Sequence, residues 1–367
     1  MDSDEIADMR LLSQGITSET SARPEDVVSR MGAMQAQDYD AAMWAIGLRC
    51  RGGVTKADVE SAIDKRRIAR TWLMRGTLHF AHSNDIGWML KLFAPRLIRT
   101  AMLRDAHLGL SDKVIDRTMA LFEKALKGGR QLSRKEMYGV MRKGNVPTAN
   151  NLGYHMLYRA AWDGLICFGL HDGKQPTFAL MDEWLPKQKG MERDDALKEL
   201  ARRYFSSHGP ATVKDYVWWS GLKVSEAMEG IGKASGDIKT EEVKGVTYYF
   251  PKKMPRQNGN TRNAHLLPAF DEYLVSYSDR SAMLDSRKTQ EWLRSGKMAV
   301  IHSNGIFTPV IVIDGKVVGA WKRSKEKKGI SVRLVPFGRI SKEHMAQIKD
   351  AVEDYGRFFG TEAMLKA

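Results

Sequence analysis

The sequence predicts an α+β protein in which helices and short β hairpins alternate first and strands dominate the last third. Apolar residues recur at helical spacing in groups of three segments, and each group ends in two short β-rich runs separated by a turn. Beyond Pro255 the pattern changes to short apolar runs separated by turn residues such as Asp314-Gly315. A chain of 367 residues is too long for one ordinary core, so several domains are expected.

The clearest group lies in the middle of the chain. Apolar residues including Ile115 and Phe122 fall on one face of a helix predicted over residues 112–127. Ser133 and Glu136 have the spacing of a capping box, which predicts a short second helix. A third helix is expected over residues 149–163, followed by a β hairpin that turns at residues 171–174.

The same order of helices followed by a β hairpin is expected twice more. After residue 194, a helix ends at His208-Gly209-Pro210, Thr212 and Asp215 cap a second helix, a third follows near residues 224–231, and two strands meet at a turn. Near the N-terminus, helices over residues 25–34 and 55–65 and a strand over residues 70–81 resemble a third copy.

Three helices followed by a hairpin form the winged-helix arrangement. The predicted architecture is therefore three tandem winged-helix units followed by a small C-terminal antiparallel β-barrel, closed by a terminal helix over residues 341–359. The expected boundaries are residues 1–108 for the first unit with a connecting helix, 109–190 for the second, 191–255 for the third and 256–367 for the barrel.

Composition limits the partners and the location. The formal net charge of +14 and a pI of about 9.6 favour polyanions, nucleic acid before anionic membrane surface. Cys50 and Cys167 are far apart, which supports neither a disulfide framework nor a cysteine zinc site. The acidic N-terminus and the lack of a long apolar stretch predict a cytoplasmic protein without export signal or membrane anchor. The preference of the basic chain for nucleic acid adds an expected association with the nucleoid.

Two glutamines are candidates for catalysis. Gln35 and Gln37 stand directly after the helix predicted over residues 25–34. In an extended backbone, residues i and i+2 point the same way, so both amides could share one water. A glutamine is a poor general base, but its carbonyl oxygen can orient a water when the leaving group is already activated. The alternative is that both are solvent-exposed residues at a helix end.

Arg75, Thr77 and His79 are predicted to lie on one polar face of the strand over residues 70–81, where they could meet a phosphate or another ligand. The alternatives are an edge strand with a solvated face and a core histidine bonded to backbone.

A cationic turn is predicted between two barrel strands. It contains Lys322, Arg323, Lys325, Lys327 and Lys328, against Glu326 alone. Its competing interpretations are an ordinary solvated loop and a DNA-binding finger whose base Trp321 anchors.

Two acidic residues follow an apolar run. Asp271 could serve a site, although capping or a buried salt bridge explains it equally well, and Glu272 is not expected to serve one. The chain carries neither a phosphate-binding GxxxxGK[ST] motif nor a GxGxxG, and its HxxH at His79 and His82 lacks an intervening glutamate. We therefore expect no metal, no nucleotide and no other cofactor.

Four segments together resemble the winged-helix DNA glycosylases of the AlkZ/YcaQ type over nearly the whole chain. They are Gln35-Ala36-Gln37-Asp38, the stretch from Arg70 to His79, the stretch from Leu267 to Leu274 with Asp279-Arg280, and the stretch from Asp314 to Trp321. The resemblance implies the winged-helix units and barrel arranged as a C-shaped basic channel. It also implies monofunctional excision of N-alkylated purines and, in some members, unhooking of interstrand crosslinks.

The catalytic pattern of that family maps onto Gln35 and Gln37 and places the chain in the glutamine-glutamine branch. The expected partner is double-stranded DNA with alkylated bases, the expected state is a monomer, and no lysine Schiff base is needed. The rival hypotheses are a non-catalytic winged-helix transcription regulator and a membrane-surface protein.

Overall fold

The computed structural model describes residues 1–18, 23–173, 175–188, 190–256, 263–285, 301–302, 305–306 and 308–366. Contacts within the chain divide it into two units. The central unit consists of Ala62–Ala196, and the discontinuous unit consists of Met1–Ser61 together with Leu197–Ala367. Over the described ranges, no helix has the length and apolarity required to cross a membrane.

Helices and strands alternate along both units. The helices are α1 (Ser3–Ser13), α2 (Pro24–Met31), α3 (Tyr39–Gly47), α4 (Lys56–Asp64), α5 (Ile86–His107), α6 (Asp112–Leu126), α7 (Arg134–Lys143), α8 (Leu152–Trp162), α9 (Met181–Trp184), α10 (Arg193–His208), α11 (Val213–Ser220), α12 (Val224–Lys233), α13 (Glu272–Val275) and α14 (Lys342–Phe358). The strands are β1 (Ala33–Gln35), β2 (Ile68–Trp72), β3 (Leu78–His82), β4 (Leu132–Ser133), β5 (Ile166–Asp172), β6 (Gln175–Leu180), β7 (Ile238–Val243), β8 (Val246–Pro251), β9 (Ala264–Leu267), β10 (Ile301–His302), β11 (Gly305–Ile306), β12 (Val310–Ile313), β13 (Lys316–Glu326), β14 (Gly329–Pro336) and β15 (Ala363–Lys366).

In the central unit, α6, α7 and α8 precede the antiparallel hairpin of β5 and β6, and β4 pairs with β6. The predicted capping box is confirmed, because the Ser133 hydroxyl accepts from the Glu136 N–H while the Glu136 carboxylate accepts from the Ser133 N–H at 2.7 Å. Phe122 and Phe178 are buried in one core with the apolar face of α8. The predicted helices and hairpin of this stretch are confirmed, although Lys174 of the predicted turn lies outside the described residues.

In the discontinuous unit, α10, α11 and α12 precede the antiparallel hairpin of β7 and β8. The predicted cap of α11 is confirmed, with the Asp215 carboxylate accepting from the Thr212 N–H at 2.9 Å. Tyr204 and Trp219 are fully buried, with ring centroids 4.9 Å apart. The same element order therefore occurs in both units, and its assignment to winged-helix units stays a prediction.

The single strand predicted over residues 70–81 is wrong. The chain instead forms the antiparallel hairpin of β2 and β3, which pairs Thr71 with His79. A 3-10 turn from Met74 to Gly76 connects the strands, with Arg75 at φ 56° and Gly76 at φ 72°. Polar and apolar residues keep alternating through this turn, so the pattern alone conceals the reversal.

The C-terminal sheet has the order β9, β12, β13, β14 and β15. Its first three pairings are antiparallel, but β15 runs parallel to β14, which corrects the predicted antiparallel barrel to a five-stranded mixed sheet in the described residues. The reason is that α14 intervenes between β14 and β15, and a helical crossover returns the chain in the same direction. The terminal helix itself is confirmed. The apolar run over residues 299–302 also predicts a strand, and residues 299–300 of it lie outside the described residues.

Candidate active site

Gln35 and Gln37 follow α2 at a sharp change of chain direction. The helix ends at Met31, three residues earlier than predicted, where Gly32 adopts a φ of 80°, which is least costly for glycine. Gln35 is the last residue of β1 and is 8% exposed, whereas Gln37 is exposed in the bend that precedes α3. Asp38 then caps α3 through its carboxylate. The first glutamine is thus enclosed by protein and the second is accessible to solvent.

A buried carboxylate holds the backbone of Gln35. Oε1 of Glu272 accepts a hydrogen bond from the Gln35 backbone N–H at 2.6 Å. Oε2 accepts from the indole N–H of Trp219 at 3.2 Å and from the hydroxyl of Ser276. His208 lies beside it, with Nε2 3.7 Å from Oε2. Because Glu272 is 1% exposed, these protein groups replace the water that would otherwise solvate its charge.

The carboxylate of Glu272 is ionised. Burial alone would raise its pKa, but the interactions with His208, Ser276 and the backbone of Gln35 lower the pKa to about 2. Burial lowers the pKa of His208, against the opposing effect of Glu272. The imidazole is therefore neutral at pH 7, and the carboxylate is the charged member of the pair. A fixed negative charge consequently lies one hydrogen bond from the backbone of Gln35.

Asp271 has a structural role. Its two oxygens accept from both terminal nitrogens of Arg49, at 2.9 and 2.8 Å, and both side chains are fully buried. Oδ1 also caps α13 by accepting from the Tyr273 N–H at 2.9 Å. Capping and a buried salt bridge, the two alternatives given for this residue, are both present. Across the ranges that the structure describes, no group of three or more His, Cys, Asp or Glu side chains is placed to hold a metal ion.

Of the two neighbouring carboxylates, Glu272, which was not expected to serve a site, is the one that contacts the backbone of Gln35. The sequence contained a signal that Glu272 would be buried and bonded inside the protein. Glu272 is followed directly by Tyr273-Leu274-Val275, all of which are buried, and a carboxylate in such a run must be satisfied inside the protein. The sequence could not identify Gln35 as one of its partners.

Arg75, Thr77 and His79 do not share one face of a strand. Arg75 lies in the 3-10 turn, and the Thr77 hydroxyl lies 3.4 Å from the carbonyl oxygen of Met74 in that turn. His79 on β3 is 1% exposed, with Nδ1 2.9 Å from the carbonyl oxygen of Thr77. This is the backbone-bonded core histidine that was the alternative interpretation. The role of the three residues as DNA contacts stays a prediction.

The predicted cationic turn is a longer hairpin than expected. We call residues 316–336, which form β13 and β14, the basic hairpin. Because β13 continues through Glu326, only Lys327 and Lys328 form the turn, and the other predicted cations lie on the strand. Trp321 is 2% exposed and donates from Nε1 to the carbonyl oxygen of Leu267 at 2.9 Å, which confirms that it anchors the base.

The cations of the basic hairpin differ in their surroundings. Arg323 donates to the hydroxyl of Tyr355 at 2.8 Å and to Asp40 at 3.3 Å, so its charge is partly compensated. The remaining four are exposed, and none of them has an ion pair among the described residues: Lys322, Lys325, Lys327 and Lys328. Glu326 is compensated by Lys366 at 2.6 Å. The hairpin therefore presents net positive charge to solvent.

A glutamine segment held by a buried carboxylate, together with a hairpin that presents positive charge to solvent, fits a protein that acts on DNA. The chain is a member of the AlkZ-like family of DNA glycosylases, since the family model described as "DNA glycosylase AlkZ-like" matches residues 28–358. This membership decides against the rival hypothesis of a non-catalytic transcription regulator.

Two comparisons with individual proteins agree with this family. The chain is 25% identical over 337 residues to a Streptomyces sahachiroi protein named interstrand DNA cross-link repair glycosylase, covering 85% of each sequence. It also resembles the solved structure of Streptomyces sahachiroi DNA glycosylase AlkZ, with a TM-score of 0.76, 21% identity and 100% coverage of both chains. The structural likeness establishes a shared fold.

Proposed function

We propose that this glycosylase hydrolyses the N-glycosidic bond of N7- or N3-alkylated purines in duplex DNA, with Gln35 and Gln37 positioning the attacking water. The observation that carries the proposal is the fixed backbone of Gln35, which the ionised Glu272 holds at 2.6 Å. Gln37 lies two residues further on and is exposed, so it is accessible to water and to DNA. Two amide oxygens near one point can orient a water without accepting its proton.

The positive charge of the alkylated base makes it a good leaving group, so a glutamine amide, which is a weak base, suffices. An N7- or N3-alkylated purine is cationic, so it leaves as a neutral base without protonation by an acid. The bond breaks toward a sugar with oxocarbenium character, water adds at the anomeric carbon, and the proton of that water passes to bulk solvent. The fixed charge of Glu272 favours that developing positive charge electrostatically. The reaction needs no covalent enzyme intermediate, which makes the proposed enzyme monofunctional.

Binding of the DNA is proposed to be mainly electrostatic. The net charge of +14 and the exposed lysines of the basic hairpin are suited to phosphates and carry no preference for sequence. We assign Arg75 and Thr77 to the same DNA-binding role, as well as the cations from Lys322 to Lys328. His79, which is 1% exposed, would serve this role only by holding the backbone of Thr77. The tandem winged-helix units would present these groups, and the enzyme would act as a monomer on nucleoid DNA in the cytoplasm.

Unhooking of interstrand crosslinks is the second part of the proposal. The Streptomyces sahachiroi relative is named for crosslink repair, and the present chain matches 85% of its length. A crosslinked base cannot be extruded fully into a tight pocket because it is still joined to the opposite strand. We therefore propose an open site that removes the base while it lies near the stack, instead of full base flipping.

Release of free base from a duplex containing N7-methylguanine tests the proposal. Wild-type protein should release the base and leave the DNA strand intact, whereas Gln37→Ala should lose most single-turnover activity with DNA affinity nearly unchanged. Gln37→Asp is the matched control, because a carboxylate can also orient the water and should retain activity. Absence of free base with the wild type, or wild-type rates in Gln37→Ala, would contradict the proposal. Strand cleavage would contradict the monofunctional mechanism.

A further inference from the structure

The central unit contains a cavity of about 590 Å³ that the proposed reaction does not use. Residues of α7, α8, β5 and β6 line it, together with Arg70 of β2 and Leu78 of β3. Its lining includes four cations and none of its lining residues, all in the described part of the chain, is acidic. Several of the other lining residues are aromatic. A cavity of this size, cationic and aromatic together, is suited to a planar anion.

Helix α7 supplies the cationic wall. Arg134, Tyr138 and Arg142 are spaced by four residues and therefore share one helix face, and Lys135 adjoins it. Arg134 and Lys135 occupy the first two positions of α7, the positive end of the helix dipole, where cations are unfavourable and anions are favoured. Among the described residues, these three cations form no ion pair with a carboxylate. Because the Ser133–Glu136 capping box already satisfies this helix end, a bound phosphate would contact the side chains of these cations.

Two tyrosines supply the aromatic wall. Tyr138 packs directly on Gly153, where a β-carbon would lie 2.7 Å from its Cε1 atom, so a larger residue there would displace the ring. Tyr154 is 37% exposed, although its ring contacts Trp72 edge to face with centroids 5.8 Å apart. Such a ring is held in place from behind and keeps an accessible surface. An accessible aromatic ring beside cations can stack on a nucleobase.

The inner wall of the cavity also combines a cation with aromatic rings. The guanidinium of Arg70, which is 8% exposed, lies 4.8 Å from the ring centroid of Phe168. The Phe168 ring in turn packs against Phe178, with centroids 4.8 Å apart. The buried cation and the aromatic core therefore hold each other in position, so the cavity is built into the core of the unit.

We propose that this cavity binds one unpaired nucleotide of the DNA substrate, with the base stacked on Tyr154 and its phosphates contacting Arg134, Lys135 and Arg142. A paired nucleotide is already stacked between its neighbours and cannot offer a base face, so the ligand must be extrahelical. The inference rests on the proposed duplex DNA substrate and adds a second point at which that DNA is held. Excision beside such a nucleotide would then be favoured over excision in undistorted duplex.

The test uses the full-length protein and a duplex carrying one unpaired 2-aminopurine nucleotide, with the fully paired duplex and dAMP as comparison ligands. Wild type should bind the bulged duplex on the order of tenfold more tightly than the paired one and should quench the probe by stacking. Arg134→Ala combined with Lys135→Ala should remove this preference. Tyr154→Ala should abolish the quenching, and Tyr154→Phe should retain it.

The matched control is Lys113→Ala combined with Lys143→Ala, which removes the same charge from exposed positions of α6 and α7 outside the cavity. Equal loss of preference in this control would overturn the inference, as would equal affinity of the wild type for both duplexes. Displacement by dAMP at low concentration would also overturn it in favour of a free nucleotide ligand. Release of N7-methylguanine is measured separately, so failure of the proposed function is distinguishable from failure at the cavity.

Discussion

Replacing Glu272 with glutamine separates the charge of this residue from its shape. The glutamine has nearly the same volume and retains one acceptor oxygen. However, its NH₂ group must face one of the two N–H donors that the carboxylate now accepts from, that of Gln35 or that of Trp219. Glutamate to alanine is less informative, because it would leave these donors and the hydroxyl of Ser276 unsatisfied together.

The effects of Glu272→Gln on stability and on excision can be estimated from these contacts. A buried donor without an acceptor costs about 1–3 kcal/mol, and a hydrogen bond to a charged group contributes about 1.5–3 kcal/mol. We expect Glu272→Gln to lower the free energy of unfolding by roughly 2–4 kcal/mol, which a domain of ordinary stability survives. If the same interaction fixes Gln35 for catalysis, single-turnover excision should fall by roughly 10- to 100-fold, with DNA affinity nearly unchanged.

The pKa of Glu272 adds a pH dependence with a definite sign. A carboxyl group whose pKa is about 2 when folded, against the usual 4.5, stabilises the folded state at neutral pH relative to acid. This contribution is complete above about pH 4.5 and is lost as the pH falls toward 2, because the unfolded chain takes up the proton first. The glutamine variant lacks it at every pH.

Two measurements test this prediction. One is thermal unfolding between pH 7 and pH 3, and the other is excision of N7-methylguanine under single-turnover conditions. The difference in Tm between wild type and Glu272→Gln should be largest near neutral pH and should shrink in acid. A folded variant with wild-type excision would refute the positioning role. A Tm difference that does not change with pH would refute the ionised, buried carboxylate.

Three further predictions concern binding and stability. Replacing Lys325, Lys327 and Lys328 together with alanine should reduce the slope of log affinity against log salt by roughly 2–3 and lower excision, most on crosslinked DNA, without changing Tm. Arg49→Ala should lower the free energy of unfolding by roughly 3–5 kcal/mol in denaturant titrations, because its aspartate partner keeps a buried charge. Gly32→Ala should cost about 1–2 kcal/mol because of its φ of 80°, and should lower excision by displacing the following strand.

Each of these has a matched control. Replacing exposed cations of α14, such as Lys342 and Lys349, should leave excision of crosslinked DNA intact if the hairpin contact is specific. Arg23→Ala breaks an exposed ion pair with Asp26 and should cost less than about 1 kcal/mol. An equal cost for this change and for Arg49→Ala would disprove the importance of the buried pair. Glycine to alanine at Gly139 of α7, which is half-buried but has no atom within 4 Å of an added β-carbon, should not destabilise the protein.

Local signals predicted much of the fold. The capping boxes that begin at Ser133 and Thr212 place their helices within a residue or two, because a side-chain oxygen and the N–H three residues later interact within one turn. The terminal helix predicted over residues 341–359 is likewise present at Lys342–Phe358, where Ser341 caps it. Such contacts are contained entirely within the sequence window that predicts them.

The failures involve contacts between residues distant in sequence. The 3-10 turn at Arg75 interrupts no alternation, so only the pairing of β2 with β3 reveals it. The parallel strand β15 depends on how α14 returns the chain to the sheet. The partnership of Glu272 with Gln35 spans 237 positions and leaves no local pattern beyond a carboxylate in an apolar run. The candidate glutamines were accessible from the sequence, but the group that holds one of them was not.

That separation of 237 positions also has a consequence for synthesis of the enzyme. The ribosome produces the glutamine segment early, but the carboxylate that fixes it is added on the order of 10–50 s later at ordinary translation rates. A nascent chain, or a fragment truncated before Glu272, would therefore carry both glutamines without the contact that orders them. Hydrolytic competence should consequently arise late in translation, and an N-terminal fragment should not cleave glycosidic bonds when separated from the rest of the protein.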